Sequence, residues 1–299
     1  MTQTTTGPVL VGVDGSESAT RAARWAALEA ARRDVPLVLA HVWTPVPVSV
    51  PHAVALGAYQ DALIAQGRQW LDEAEAAARD AAPGVVTSTD LVGGSVAARL
   101  IGRSASAGMV VLGDRGLGGF SGLVIGSIAV AVSTHAHCPV VVVRTAEPPG
   151  TTPPDGPQTG PVVVGVDGSG TSRAAVTFAF EAASVRGVPL VAVHAWSDLP
   201  VTTVWELTTA WDAIERHESE QLSTWLAQDR ARHPGVRVEE VVVREGPARV
   251  LLEHAERAQL VVVGTRGRGG FRGLLLGSTS QALIHHAACP VAVVPLPRS

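Results

Sequence analysis

No lysine and no asparagine occur anywhere in the 299 residues, so all 23 basic side chains are arginine. That absence removes whole classes of chemistry. A P-loop NTPase sets a Lys against the β- and γ-phosphates, and a protein kinase pairs one with the α/β-phosphates and a helix Glu. Neither can be built here, and a Schiff-base enzyme lacks the amine it would need. A phosphate-accepting receiver domain fails as well. It requires clustered acids around a metal and a partnering Lys, whereas each half of this chain offers a single strand-end Asp, Asp14 or Asp167.

Other shortages narrow the field further. The only two cysteines, Cys138 and Cys289, each precede a Pro at the start of a Val-rich run and read as free buried thiols rather than a disulfide. No run of about 18 apolar residues is present, so no membrane span is expected. The polar start over residues 1–7 lacks the basic and apolar regions of a signal peptide, and a cytoplasmic location is expected. The net charge of −4 is spread without blocks, which argues against a nucleic-acid partner. No Gly-x-Ser-x-Gly elbow occurs, against an ordinary α/β-hydrolase. Gly12-Val13-Asp14-Gly15 does not supply a dinucleotide fingerprint. His135, His137, His285 and His286 lack the Cys or carboxylate spacing of a metal set and read as residues at helix C-termini. The seven Trp default to core packing, and His41 and His194 to satisfied core histidines.

What is present is written twice. Pro8-Val-Leu-Val-Gly-Val-Asp14-Gly-Ser returns as Pro161-Val-Val-Val-Gly-Val-Asp167-Gly-Ser, and 20 of the 34 positions from Val110 to Val143 are identical to those from Val261 to Val294. A duplicated domain follows, with boundaries expected at 1–147 and 161–299. Between them, residues 146–160 hold five prolines and three glycines. That composition makes neither helix nor central strand, so a semi-extended linker over 148–160 is expected.

In each copy, wholly apolar runs of strand length alternate with helical segments. The first copy predicts strands over 9–13, 37–43, 85–92, 109–113 and 140–143. Its helices are expected over 17–33, 56–81, 96–104 and 128–135. The second copy repeats the series, including a long helix over about 204–232. The pattern predicts an α/β fold in which each domain is a parallel sheet covered by helices on both faces.

The stretch that carries chemistry is also duplicated: Gly113-Asp114-Arg115-Gly116, nine residues, Gly126-Ser127, and Gly264-Thr265-Arg266-Gly267, nine residues, Gly277-Ser278. Each copy joins a strand to a helix. Glycines there let the backbone approach a ligand closely, and a Ser at a helix start sits beside free amides where the dipole favours an anion. Two copies with identical spacing point to phosphate. In open α/β sheets ligands sit beyond the carboxyl ends of the strands where the strand order reverses. Asp14 with Gly113, and Asp167 with Gly264, are expected at such crevices, bordered by the ends of the second strands.

The Val-Gly-Val-Asp start, the His41-Val42 or His194-Ala195 ending of strand two, the Gly-x2-Gly-x9-Gly-Ser motif and the closing Cys-Pro-Val strand together resemble the universal stress protein family, in its tandem two-domain form. The resemblance implies two doubly wound domains, each a five-stranded parallel sheet in the order 3-2-1-4-5, and ATP as ligand. By that resemblance Gly113, Gly116, Gly126 and Ser127 hold phosphates and ribose, with Gly264, Gly267, Gly277 and Ser278 as counterparts. Asp14 and Asp167 stand near the ribose and the metal-bound end of the phosphates, and the backbones of Val42 and Ala195 face the adenine edge. The neighbouring Gly12, Val13 and Ile128, with Gly165, Val166 and Thr279, complete the expected sites. Arg115 and Arg266 either reach phosphate or remain solvated loop residues. No metal set is formed by side chains alone, and Mg²⁺ is expected on the phosphates near Asp14 and Asp167.

Two functions remain open: a nucleotide-dependent regulator of stress response or growth acting on an unknown protein partner, or a slow ATPase or self-phosphorylating enzyme. The all-apolar runs 140–143 and 291–294 are expected at sheet edges, where pairing with each other would cover both. A homodimer of whole chains is compatible with this reading, though no residue calls for it.

Overall fold

The computed structural model describes residues 7–45, 53–117, 125–144, 160–196, 211–268 and 276–296. Most of the expected linker, the proline-rich loop after Pro45 and the start of the helix expected from about residue 204 lie outside these. The chain divides into two compact units, Met1–Thr145 and Ala146–Ser299.

The first unit runs β1 (Val9–Gly12), α1 (Glu17–Arg33), β2 (Leu37–Trp43), α2 (Ala53–Ala81), β3 (Thr87–Gly93), α3 (Val96–Arg103), β4 (Met109–Gly113), α4 (Ser127–His135) and β5 (Val140–Val143). Every neighbouring pair of its strands is parallel, in the order β3-β2-β1-β4-β5. The central strands are apolar at successive residues because both faces are covered. Val9 to Val11, Val110, Val111 and Val140 to Val142 are all buried, and full burial of each such side chain contributes roughly 1.5–3 kcal/mol. β3 has no fully buried residue and is half-exposed, as an outer strand can be.

α1 packs close to the sheet because its inner face is nearly all alanine: Ala19, Ala22, Ala23, Ala26, Ala27 and Ala30 are buried. Its start is fixed by Ser16, whose side chain accepts from the Ala19 amide, and its end by Asp34 in the left-handed region at φ 53°. Strand order carries the key consequence. From β1 the chain moves one way to β2 and β3, then crosses back to β4 and β5. Right-handed crossovers taken in opposite directions place α1 and α2 on one face and α3 and α4 on the other. A crevice therefore opens between β1 and β4.

The second unit repeats this plan with β6 (Val162–Gly165), α5 (Gly170–Arg186), β7 (Leu190–Ala195), α6 (Trp211–Arg232), β8 (Val238–Val243), α7 (Pro247–Ala255), β9 (Leu260–Gly264), α8 (Ser278–His286) and β10 (Val291–Val294). Its parallel strands lie in the order β8-β7-β6-β9-β10. Neither cysteine is in a disulfide, and both are buried. No helix among the described residues is long and apolar enough to cross a membrane.

Candidate functional site

The crevice of the first unit is a cavity of about 460 Å³ at the carboxyl ends of β1, β2 and β4, within the range of small-molecule sites. All ten residues expected there from the sequence line it. Gly12, Val13 and Asp14 come from the end of β1 and Val42 from β2. Gly113, Arg115 and Gly116 come from the end of β4, and Gly126, Ser127 and Ile128 from the start of α4. The apolar lining carries no motif and was not expected: Ala19, Ala40, Val96, Leu100, Leu112, Ile125 and Ala129. These make most of the lining apolar, beside the glycines and Ser127 of the motif. His41, expected in the core, is buried and also lines the cavity.

The polar part is built by the backbone. The motif loop is closed at its base by the Gly126 amide donating to the Asp114 carbonyl at 2.8 Å. Gly126 then caps α4 and brings no side-chain acceptor to the first turn. α1, by contrast, is capped by Ser16. The start of α4 thus presents amide donors and the positive end of a helix dipole toward a cavity, the arrangement that accepts an anion.

Asp14 has a positioning task that its place in the sequence does not reveal. Its Oδ1 accepts from the Ser16 amide (3.0 Å) and the Ser16 hydroxyl (2.6 Å), and its Oδ2 accepts from the Leu117 amide (3.1 Å). One carboxylate thereby ties the β1–α1 turn to the motif loop. Gly116 is where the loop passes that carboxylate, and a Cβ there would collide with Oδ2. The turn itself needs glycine: Gly15 has φ +82° and lies against the indole of Trp70. Trp70 meets the His41 ring edge-on at 5.2 Å, and His41 Nδ1 is 2.7 Å from the Val13 carbonyl. That chain of contacts holds the ends of β1 and β2 at the cavity.

The second unit brings its expected residues into the same relations. Asp167 accepts from the Ser169 amide (2.9 Å) and the Arg268 amide (2.8 Å). A Cβ on Gly267 would meet Asp167 Oδ2, and the Gly277 amide donates to the Thr265 carbonyl at 2.8 Å. Gly277 caps α8 with no side-chain bond. His194 Nδ1 is 2.7 Å from the Val166 carbonyl and its ring meets Trp225 at 5.3 Å. Gly165 and Gly264 end β6 and β9, Ala195 ends β7, and Ser278 and Thr279 open α8.

No group of three or more His, Cys, Asp or Glu among the described residues could hold a metal ion. A divalent cation at either crevice would depend on ligand oxygens for most of its coordination, which is the habit of Mg²⁺.

A sequence model described as the universal stress protein family matches residues 5–144 and again 159–295. A universal stress protein of Mycobacterium tuberculosis (strain H37Rv) is 40% identical over 294 residues, covering 95% of each chain. One from Mycolicibacterium smegmatis is 39% identical over 289 residues, covering 96% of each. Among solved structures, a universal stress protein from Archaeoglobus fulgidus superposes with a TM-score of 0.68 over 97% of both chains at 20% identity, a likeness of fold.

Proposed function

The chain belongs to the universal stress protein family, and from that premise we propose that each of its two units binds one ATP and that the protein acts as a nucleotide-dependent regulator rather than as an efficient enzyme. The observation that carries this reading is the convergence of the ten expected residues on one cavity of about 460 Å³, mostly apolar in its lining and bordered by the glycines and Ser127 of the motif. The adenine would lie against the apolar wall with its edge toward the backbone of Val42. The phosphates would lie over Gly113, Gly116, Gly126 and Ser127, where main-chain amides replace the absent lysine. Ala195, Gly264, Gly267, Gly277 and Ser278 would serve the second unit.

Mg²⁺, where bound, would neutralise part of the phosphate charge, with Asp14 and Asp167 as the carboxylates expected beside it. Neither aspartate is well placed as a base. Both oxygens of each accept hydrogen bonds from the loops they join, and turnover needs a group free to orient water. A protein partner that reads the loaded state, action in the cytoplasm and pairing through the closing strands belong to the same proposal. The last of these rests on the apolar sequence of the two strands.

The test is to release and weigh the nucleotide carried by the purified protein beside Gly116→Ala and Gly267→Ala. Each substitution sets a methyl against the aspartate that holds the loop, and should lower affinity at its own unit about 30-fold or more. Each variant should therefore retain about half the ATP of the parent protein. Unchanged content in both would remove the phosphate assignment. Counting phosphate released by the loaded protein tests the regulatory half, since many turnovers per hour would make it an ATPase.

A further inference from the structure

We propose that the two crevices discriminate nucleotides by the charge of the phosphate tail: the second unit selects the triphosphate through Arg266 and Arg268, and the first binds AMP, ADP and ATP almost alike. This rests on reading both crevices as nucleotide sites. It follows from three positions at which otherwise matched loops differ.

At the first position the first unit has Asp114 and the second Thr265. Asp114 is 1% exposed. Its Oδ1 accepts from Ser18 Oγ at 2.7 Å, and its Oδ2 lies 3.8 Å from Arg115 Nε. The motif arginine of the first unit therefore has a carboxylate beside it that offsets its charge. At the second position, the counterpart of Ser18 is Thr171, which donates instead to the Arg266 carbonyl, and the residue before Arg266 is uncharged.

At the third position the first unit has Leu117 and the second Arg268. The two side chains leave the backbone from equivalent points, because the amide of each donates to the aspartate of its own unit. Leu117 is 60% exposed. The Arg268 guanidinium instead lies 5.0 Å from the centroid of the Trp225 ring. Its Nη2 is 2.5 Å from where a Cβ on Gly168 would stand, so it reaches across the β6–α5 turn at the crevice. With the motif arginine included, residues 114–117 sum to zero formal charge and residues 265–268 to two positive charges.

Each phosphate added to a tail brings further negative charge to this end of the crevice. Bidentate guanidinium contacts strengthen with that charge, and a loop of zero net charge gains little from it. Trp225 holds the Arg268 guanidinium in place before any ligand arrives, which lowers the ordering cost of the contact.

The experiment is calorimetric titration with AMP, ADP and ATP, in EDTA and low salt. It uses Gly116→Ala to read the second unit, Gly267→Ala to read the first, and the otherwise unmodified chain carrying Arg268→Leu or Leu117→Arg. The last two substitutions fall at exposed loop positions and leave the folded core untouched. ATP should bind the second unit about 30-fold more tightly than AMP, and the first unit within about threefold. Arg268→Leu should bring the second unit's ratio down toward threefold, Leu117→Arg should raise the first unit's, and 0.5 M salt should flatten both. Equal ATP-to-AMP ratios at the two units, or a ratio unmoved by Arg268→Leu, overturn the proposal. Absence of any adenine nucleotide binding to the parent chain is a different failure, because it removes the nucleotide reading and this inference together.

Discussion

The two units make the same crevice with the same backbone bonds and then furnish it differently. The histidine at the end of the second strand sits 2.7 Å from a β1 or β6 carbonyl in both. The loop-closing amide bond is 2.8 Å in both, and the aspartate bridges the same two loops in both. By contrast Asp114 corresponds to Thr265 and Leu117 to Arg268, and His194 has a glutamate, Glu218, at 2.9 Å from Nε2. Main-chain groups and glycines permit one geometry, so a duplicate that keeps the crevice must keep them. The side chains at the remaining positions, whether buried like Asp114 or exposed like Leu117, are not held to that backbone requirement and can diverge.

The strongest test of how equivalent the two halves are uses their buried thiols. Burial pushes the Cys138 thiol from 9.0 up to about 12. The thiolate is the reactive form, so at pH 8 native Cys138 should react with iodoacetamide about 1,000-fold more slowly than in the unfolded chain. The raised value also has a defined effect on stability. The unfolded thiol ionises near 9 and the folded one near 12. Between those values the unfolded state holds fewer protons, so stability falls as pH climbs through that window. Mass-mapped alkylation reads both cysteines at once. Cys289 labelling at the unfolded rate while Cys138 stays protected would mean that the second core opens where the first does not.

Glu29 and Ala182 occupy equivalent places on α1 and α5. Glu29 is fully buried, with Arg33 Nε at 2.6 Å. In the second unit Arg186 donates to the Ala182 carbonyl at 3.2 Å. Glu29→Ala gives the first unit the second unit's residue but strips a buried arginine of its closest partner. It should cost about 3 kcal/mol, seen as faster hydrogen exchange confined to the first unit. A loss below about 1 kcal/mol would show that Arg33 can adopt the Arg186 arrangement, making the pair dispensable.

Much of this was legible in the sequence, for physical reasons. A strand buried on both faces must be apolar at successive residues, so the Val-rich runs announced parallel sheets. Five of the ten expected residues that line the cavity, Gly12, Gly113, Gly116, Gly126 and Ser127, were legible because glycine or serine is needed there for backbone reasons, and others such as Val42 were expected from the family resemblance. The expected strand over 85–92 is instead Thr87–Gly93, and the expected helix over 56–81 begins at Ala53. End positions depend on caps and register rather than on composition. What left no trace was contact between distant segments. The bond from Asp14 to the Leu117 amide spans 103 residues, and the edge-on meeting of His41 and Trp70 joins a strand to a helix. Neither leaves a period or motif. The oily wall of Val96, Leu100 and Ile125 looked like ordinary core for the same reason.

The helix caps offer a finer comparison. Ser16 Oγ accepts from the Ala19 amide at 3.1 Å and also donates to Asp14. Ser169 Oγ accepts from the Ser172 amide at 3.2 Å and meets the Thr171 hydroxyl at 3.2 Å. Ser16→Ala should cost about 1.5 kcal/mol and Ser169→Ala about 1 kcal/mol, the difference reflecting the lost bond to the aspartate. Equal losses in urea denaturation would show that the Ser16–Asp14 bond adds nothing beyond the cap.

The smallest effect sits at the other end of those helices. α1 ends on Asp34 with φ 53° and α5 on Gly187 with φ 65°, and each amide there donates back to the last turn. The left-handed region crowds a Cβ against the neighbouring carbonyl, and aspartate tolerates it less well than glycine. Glycine in turn loses more backbone freedom on folding. The two effects nearly offset, with the steric one larger. Asp34→Gly should therefore stabilise the first unit by about 0.5 kcal/mol, whereas Gly187→Asp should destabilise the second by a similar amount. Opposite shifts of the same size in urea denaturation would mean that the two helix ends are interchangeable. A loss on Asp34→Gly would mean that the carboxylate of Asp34 contributes more to the first unit than its backbone strain removes.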